Sequence, residues 1–101
     1  MQAMKEEPIF LDYVGDSPRM RILQFLIEDR DFDYTLTDLL NARVSWGTIN
    51  SLIPRLVELG IVVRARKIGR VTLYKINQDN IAAKQLIGLY DSLILNNSKT
   101  H

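Results

Sequence analysis

The stretch YTLTDLLNARVSWGTINSLIPRLVELGIVV, Tyr34 to Val63, decides the fold, because two helical patterns stand in it either side of a tight turn. In the second pattern Ile49, Leu52, Ile53, Leu56 and Leu59 recur at three- and four-residue steps, which places them on one face of a helix. That face is expected to be core. The opposite face carries Trp46, Gly47, Asn50, Ser51 and Arg55, a small, hydrogen-bonding set. It begins at Ser45, whose hydroxyl suits the open N–H groups of a first helical turn. Upstream, Thr35 and Asp38 have the spacing of a capping box, and Leu36, Leu39 and Leu40 supply a short apolar stripe. Asn41 to Val44 fits a sharp turn between the two helices. Gly60 is placed to end the second helix in a left-handed cap, with Ile61 as its apolar partner. Pro54 falls inside that helix, where it deletes the N–H bond to the Asn50 carbonyl and is expected to kink or loosen it, at about 3 kcal/mol unless the neighbourhood compensates.

Beyond Gly60, IVVRARKIGRVTLYKIN alternates and is rich in β-branched residues, with Lys67-Ile68-Gly69-Arg70 as its turn-capable tetrad. Two strands, about 61–66 and 71–76, are expected to form a hairpin with Gly69 at positive φ. Before Tyr34, Gly15-Asp16-Ser17-Pro18 is a helix start, with Ser17 as cap and Pro18 at the first helical position. The helix should run to about Glu28, with Ile22, Leu23, Leu26 and Ile27 on one side, and with Met20 and Phe25 pointing elsewhere and needing cover. The apolar patch IFLDYV, 9–14, fits either a single helical turn or an edge strand. The acidic run Glu28 to Asp33 reads as a solvated loop, since it lacks the turn glycine and terminal glutamate of a calcium loop. After Asn77 a helix capped by Asp79 or Asn80 should run from Ile81 to about Leu95. Its apolar arc, about 160° wide, exceeds what one surface contact needs.

With 101 residues the chain is expected to form one domain: a flexible lead at 1–8, a domain at 9–78, a C-terminal helix at 79–96 and a disordered tail at 97–101. The absence of cysteine excludes disulfides and thiolate metal sites, and the single histidine is the last residue, so neither a metal nor a cofactor is expected. No histidine or cysteine within the fold is available for acid–base or nucleophilic work, and the acids form no defensible pair, so an enzyme is not expected and no catalytic residue is assigned. The opening MQAMKEEP lacks the basic, hydrophobic design of a signal peptide and no run approaches membrane-spanning length; a cytoplasmic protein is expected. The net charge of +1 hides an asymmetry: residues 1–60 hold six Lys/Arg against ten Asp/Glu, whereas residues 61–78 hold five against none. Phosphate attraction follows such clustering as much as the total.

The two helical patterns look like a helix-turn-helix, and a helix-turn-helix followed at once by a basic hairpin resembles the winged-helix transcription regulators over about residues 17–78. VSWGTINSLIPRLVELGIV is similar to that family's Val-Ser-x-x-Thr-hydrophobic pattern with its leucine ladder, RARKIGRVTLYKI resembles its wing, and the nearest flavour is the small MarR/ArsR-like regulators of bacteria and archaea. The turn departs from the family in carrying Arg43 where glycine is frequent, and in being one residue short. The resemblance implies a mainly α fold with a small β-hairpin, a winged helix-turn-helix plus a C-terminal helix. It also implies that Trp46, Gly47, Asn50 and Ser51 face the major groove of double-stranded DNA while the wing tip lies along the backbone or enters the minor groove. From the residues themselves, Asn50 suits bidentate pairing with adenine, and Ser45 and Thr48 stand at the helix start where a phosphate can bind. Arg64, Arg66, Lys67 and Arg70 are expected to contact phosphates, since four cations stand around one hairpin with no acid among them, the alternative being solvated edge protection; Arg43 and Arg55 flank the reading helix as further candidates for the backbone.

The wide arc of the last helix, with Phe25 and the 9–14 patch also seeking cover, leads to an expected two-fold dimer through Phe25, Leu86, Leu89, Tyr90, Leu93 and Ile94, the alternative being a helix folded back over the first helix of the same chain. Two reading helices would then enter successive major grooves of a palindromic site. The expected function is that of a sequence-specific DNA-binding transcription regulator acting as a homodimer, a repressor by promoter occlusion. The alternatives are a winged-helix protein–protein interaction module, or a DNA-binding protein of plasmid replication or partition.

Overall fold

Ser17 starts the first long helix as its sequence predicts. In a computed structural model that describes residues 9–99, the Ser17 Oγ accepts the Met20 N–H at 3.2 Å and Pro18 occupies the first turn of α2, Pro18–Glu28. Ile22, Leu23, Leu26 and Ile27 are buried on one side. Phe25 and Met20, which needed cover, receive it within the chain: both are half-buried, and the Phe25 ring stands edge-on to Tyr34 with centroids 4.9 Å apart.

The ambiguous patch IFLDYV is the helix α1, Ile9–Val14, ended by Gly15 at φ +98°. It buries Phe10 and Leu11, and Phe10 meets Tyr90 edge to face at 5.7 Å. Tyr90 belongs to the last helix, α4, Ile81–Lys99. Of the two candidate caps, Asn80 does the work: its Oδ1 accepts the Ala83 N–H at 2.9 Å. Ala83 is fully buried, and Leu86, Ile87, Leu89, Tyr90 and Leu93 lie half-buried against the core. Arg30 ties α4 to the loop after α2 by a bidentate pair with Asp91, at 2.6 and 2.9 Å. Its guanidinium holds the Asp91 carboxyl below the usual carboxylate range. The helix continues past its expected end near Leu95 to Lys99, since Asn96 to Lys99 contain neither glycine nor proline to stop it. The expected lead at 1–8 and the end of the tail, 100–101, lie outside the described residues.

The capping box forms reciprocally: the Asp38 N–H donates to Thr35 Oγ1 at 3.1 Å and the Thr35 N–H to Asp38 Oδ2 at 2.9 Å. The element it introduces is a 3-10 helix, Asp38–Ala42, tied by three-residue bonds such as Leu39 N–H to Leu36 O. Three residues per turn align positions 36, 39 and 42 instead of 36, 39 and 40. Leu39 is therefore buried, Leu36 and Ala42 half-buried, and Leu40 left 43% exposed, unlike the stripe expected from an α-helical period.

Arg43 closes the turn at φ 65° and ψ 44°, the left-handed conformation that glycine adopts without penalty. The site is held by backbone contacts, because Arg21, itself paired bidentately with Asp16, donates from Nη1 to the Arg43 carbonyl at 3.0 Å. An Arg43→Gly variant keeps that bond and relieves about 1–2 kcal/mol of local strain, partly offset by the larger entropy of the unfolded glycine. Chemical denaturation is expected to show it more stable by about 0.5–1 kcal/mol. A loss of stability would show that the arginine side chain contributes more than its backbone costs.

Ser45 caps α3, Trp46–Glu58, whose Ile49, Ile53 and Leu56 are buried. The helix runs through Pro54 to Glu58; Asn50 and Pro54 both lie on its exposed side, where water can replace the missing N–H. At its end Gly60, φ +80°, donates to Val57 O at 3.0 Å and Ile61 N–H to Leu56 O at 3.1 Å, the paired bonds of a Schellman cap. Leu59, expected in the core, is the C-cap residue and is 44% exposed.

The hairpin comprises β1, Val62–Ile68, and β2, Val71–Ile76, antiparallel with Val62 opposite Ile76 and Ile68 opposite Val71. The turn is thus the two residues Gly69 and Arg70, with Gly69 at φ +63°, and the first strand is longer than expected. The register slips between Arg64 and Arg66, leaving Ala65 as a one-residue bulge. Tyr34 exchanges two 2.7 Å backbone bonds with Tyr74, adding a single rung on the free side of β2. The described residues therefore form a mixed α/β arrangement of four α-helices, a 3-10 helix and one antiparallel hairpin around a single core.

Candidate nucleic-acid interface

The outward side of α3 is available along its first two turns. Trp46 is 48% exposed, and Gly47, Asn50 and Ser51 are exposed with it. A Cβ added at Gly47 would meet nothing within 4 Å, so the surface there is open. Asn50 spends one amide N–H on the Trp46 carbonyl at 3.0 Å, leaving its other N–H and its Oδ1 for an outside partner. The two polar atoms are what an adenine edge requires, a donor to N7 and an acceptor from N6–H. Ser45 accepts the Thr48 N–H at 3.3 Å and donates its own hydroxyl proton to Thr48 Oγ1 at 2.9 Å. The half-buried Thr48 hydroxyl is thereby oriented, with its proton remaining to donate.

On the hairpin every residue from Arg64 to Val71 is exposed. Arg64, Lys67 and Arg70 have no carboxylate within ion-pair distance among the described residues. Arg66 differs. Its Nε and Nη2 donate to the two Asp33 oxygens at 2.7 and 3.2 Å, and the Asp33 side chain is only 16% exposed. The Arg66 hydrogen bonds hold the Asp33 carboxyl below the usual carboxylate range. A depressed carboxylate keeps its pair above its ordinary titration range and loses it only as pH falls through the lowered value, so the bridge is fully formed near neutrality. Asp33 is the residue that sequence reading missed, for the acidic run gives no local sign of a partner 33 positions away. With the Tyr34–Tyr74 rung it anchors the middle of the hairpin and leaves the tip projecting. Arg55 pairs with Glu58 at 3.0 Å, both well exposed.

The residues expected to dimerise are largely occupied within the chain. Phe25 lies against Tyr34, Tyr90 against Phe10, and Leu86, Leu89 and Leu93 are half-buried on the core, while Ile94 is 41% and Leu95 58% exposed near the far end of α4. The helix α1, whose state the sequence left open, supplies the cover of Tyr90 through Phe10. No cluster of three or more potential metal ligands occurs among the described residues, and no helix there is long and apolar enough to cross a membrane. No protein-family model matches the chain, and no curated protein matches it significantly.

Proposed function

We propose that the chain is a sequence-specific double-stranded-DNA-binding regulator of the winged-helix type. The observation that carries this reading is the presence in one small domain of an exposed polar helix face, Trp46, Gly47, Asn50 and Ser51, and an acid-free hairpin bearing Arg64, Lys67 and Arg70 unmatched by carboxylates among the described residues. On this reading α3 enters the major groove, where Asn50 reads adenine and Ser51 and Trp46 contact neighbouring base or sugar edges. Ser45 and Thr48 hold a phosphate at the helix start. The hairpin cations bind the backbone, which positions the protein and supplies most of the affinity.

The protein acts as a two-fold dimer on a palindromic site, represses by covering a promoter, and uses the exposed end of α4, with Ile94 and Leu95, as the seam. Selection of bound sequences from random duplex DNA tests binding, symmetry and half-site spacing together. The expected result is an inverted repeat with half-sites one helical turn, about 34 Å, apart; recovery of no preferred sequence would remove the reading. Sedimentation as an 11.7 kDa monomer at micromolar concentration, with DNA present or absent, would remove the dimer. A second reading, a protein-binding module, is favoured by the exposure of Leu40 and Trp46, apolar residues on neighbouring elements. A pull-down that captures a protein partner, with no DNA shift, would select it.

A further inference from the structure

The hairpin ends in a feature for which phosphate binding has no use. Ile68 and Val71, the last opposed pair before the Gly69–Arg70 turn, are 55% and 48% exposed. Directly opposed residues of an antiparallel pair project from the same face, so the two side chains form one apolar knob. Lys67 and Arg70 stand beside it, without carboxylate partners among the described residues. The middle of the hairpin is fixed by the Asp33–Arg66 bridge and the Tyr34–Tyr74 rung, which gives the outer rungs a firm base.

A cation-rimmed apolar knob complements a surface that is apolar on its walls and anionic on its rims. The minor groove of duplex DNA has that character, with the C–H faces of its deoxyribose walls between two lines of phosphates. The fit is not passive. Two strands about 4.8 Å apart, with side chains added, are wider than the groove of about 6 Å. Entry therefore requires the groove to widen, and apolar side chains pressed between base steps partly unstack them and bend the duplex towards the major groove. That distortion is least costly at pyrimidine–purine steps.

We propose that Ile68 and Val71 form a wedge that opens the minor groove and bends duplex DNA at a flexible pyrimidine–purine step beside the sequence read by α3. The inference rests on the DNA-binding reading above and adds to it a mechanical action and a second source of sequence preference. It is tested with a selected duplex carrying fluorophores at both ends, so that energy transfer reports the bend and titration reports the affinity. Ile68→Thr with Val71→Thr keeps β-branched residues in the strands, and a thermal melt matching wild type verifies the fold.

Wild type is expected to shorten the end-to-end distance. The threonine pair is expected to bind about ten-fold more weakly with the bend lost and, since no charge changes, with the same salt dependence. Lys67→Gln with Arg70→Gln should do the reverse, keeping the bend at saturation while flattening the salt slope by about 2 per protomer. A threonine pair that bends DNA as wild type does overturns the wedge and leaves the DNA reading standing, as does wild type that binds without bending. Wild type that binds no duplex overturns both. Binding to vesicles of phosphatidylserine and phosphatidylcholine that the threonine pair loses, with bending unchanged, would assign the knob to a lipid surface instead.

Discussion

Replacing Arg64, Lys67 and Arg70 together by glutamine is expected to lower affinity for duplex DNA at ~0.15 M salt by about 10²-fold per protomer, and by ~10⁴-fold where two protomers bind together. The magnitude follows from counterion release: three phosphate contacts per protomer give a dimer a slope of log affinity against log salt of about −5, and each contact contributes roughly five-fold at that salt concentration. The triple variant should bring the slope close to zero. Arg66 supplies the internal comparison. Its guanidinium is already satisfied by Asp33, so Arg66→Gln alone should change the slope less than any of the other three, while Asp33→Asn should release the cation and tighten binding. An unchanged slope in the triple variant would take the hairpin out of the interface.

The largest effect on stability is expected from Phe10→Ala. Phe10 is 1% exposed and its ring meets Tyr90, so it joins α1 to α4 and closes the core on that side. Removing a buried phenylalanine leaves a cavity that costs about 3–5 kcal/mol, a large share of the roughly 5–15 kcal/mol that holds a small domain together. Thermal unfolding should fall by about 12–40 °C, at about 4–8 °C per kcal/mol for a chain of this size, and α4 should become sensitive to protease in the folded state. A loss below about 1 kcal/mol would show α1 to be an appendage and not part of the core.

How much of this could be read from the chain depends on the distance over which each feature is determined. The caps were legible because they are local: Ser17 with Pro18, Ser45, and Gly60 with Ile61 each act within a turn of helix. The buried stripes of α2 and α3 were legible because their period extends over several turns, and the exposed polar flank of α3 followed by subtraction. Six residues, 9–14, are too few to display a period, and their helix is defined by its packing against α2 and α4. The α4 face is in part covered within the chain, by α1 and α2 together, and the sequence alone does not divide that face between cover inside the chain and a second molecule. Leu40 was misplaced because 3-10 and α periods differ by less than a residue over one turn. The Asp33–Arg66 bridge joins sites brought together by the fold alone, and no local pattern could have signalled that one of the five hairpin cations is already matched.

The extra residue at Ala65 has an effect that reaches beyond the local kink. By strict alternation, positions 62, 64, 66 and 68 would share a side, and the buried Val62 would dictate what the far end of the strand presents. The insertion introduces a phase slip, so Ile68 is turned to the opposite side from Val62. The inner rungs answer to the core, while the outer ones are free to change composition without disturbing it. A hairpin divided in this way can be retuned towards a different target by substitutions at its end, with the scaffold beneath left intact.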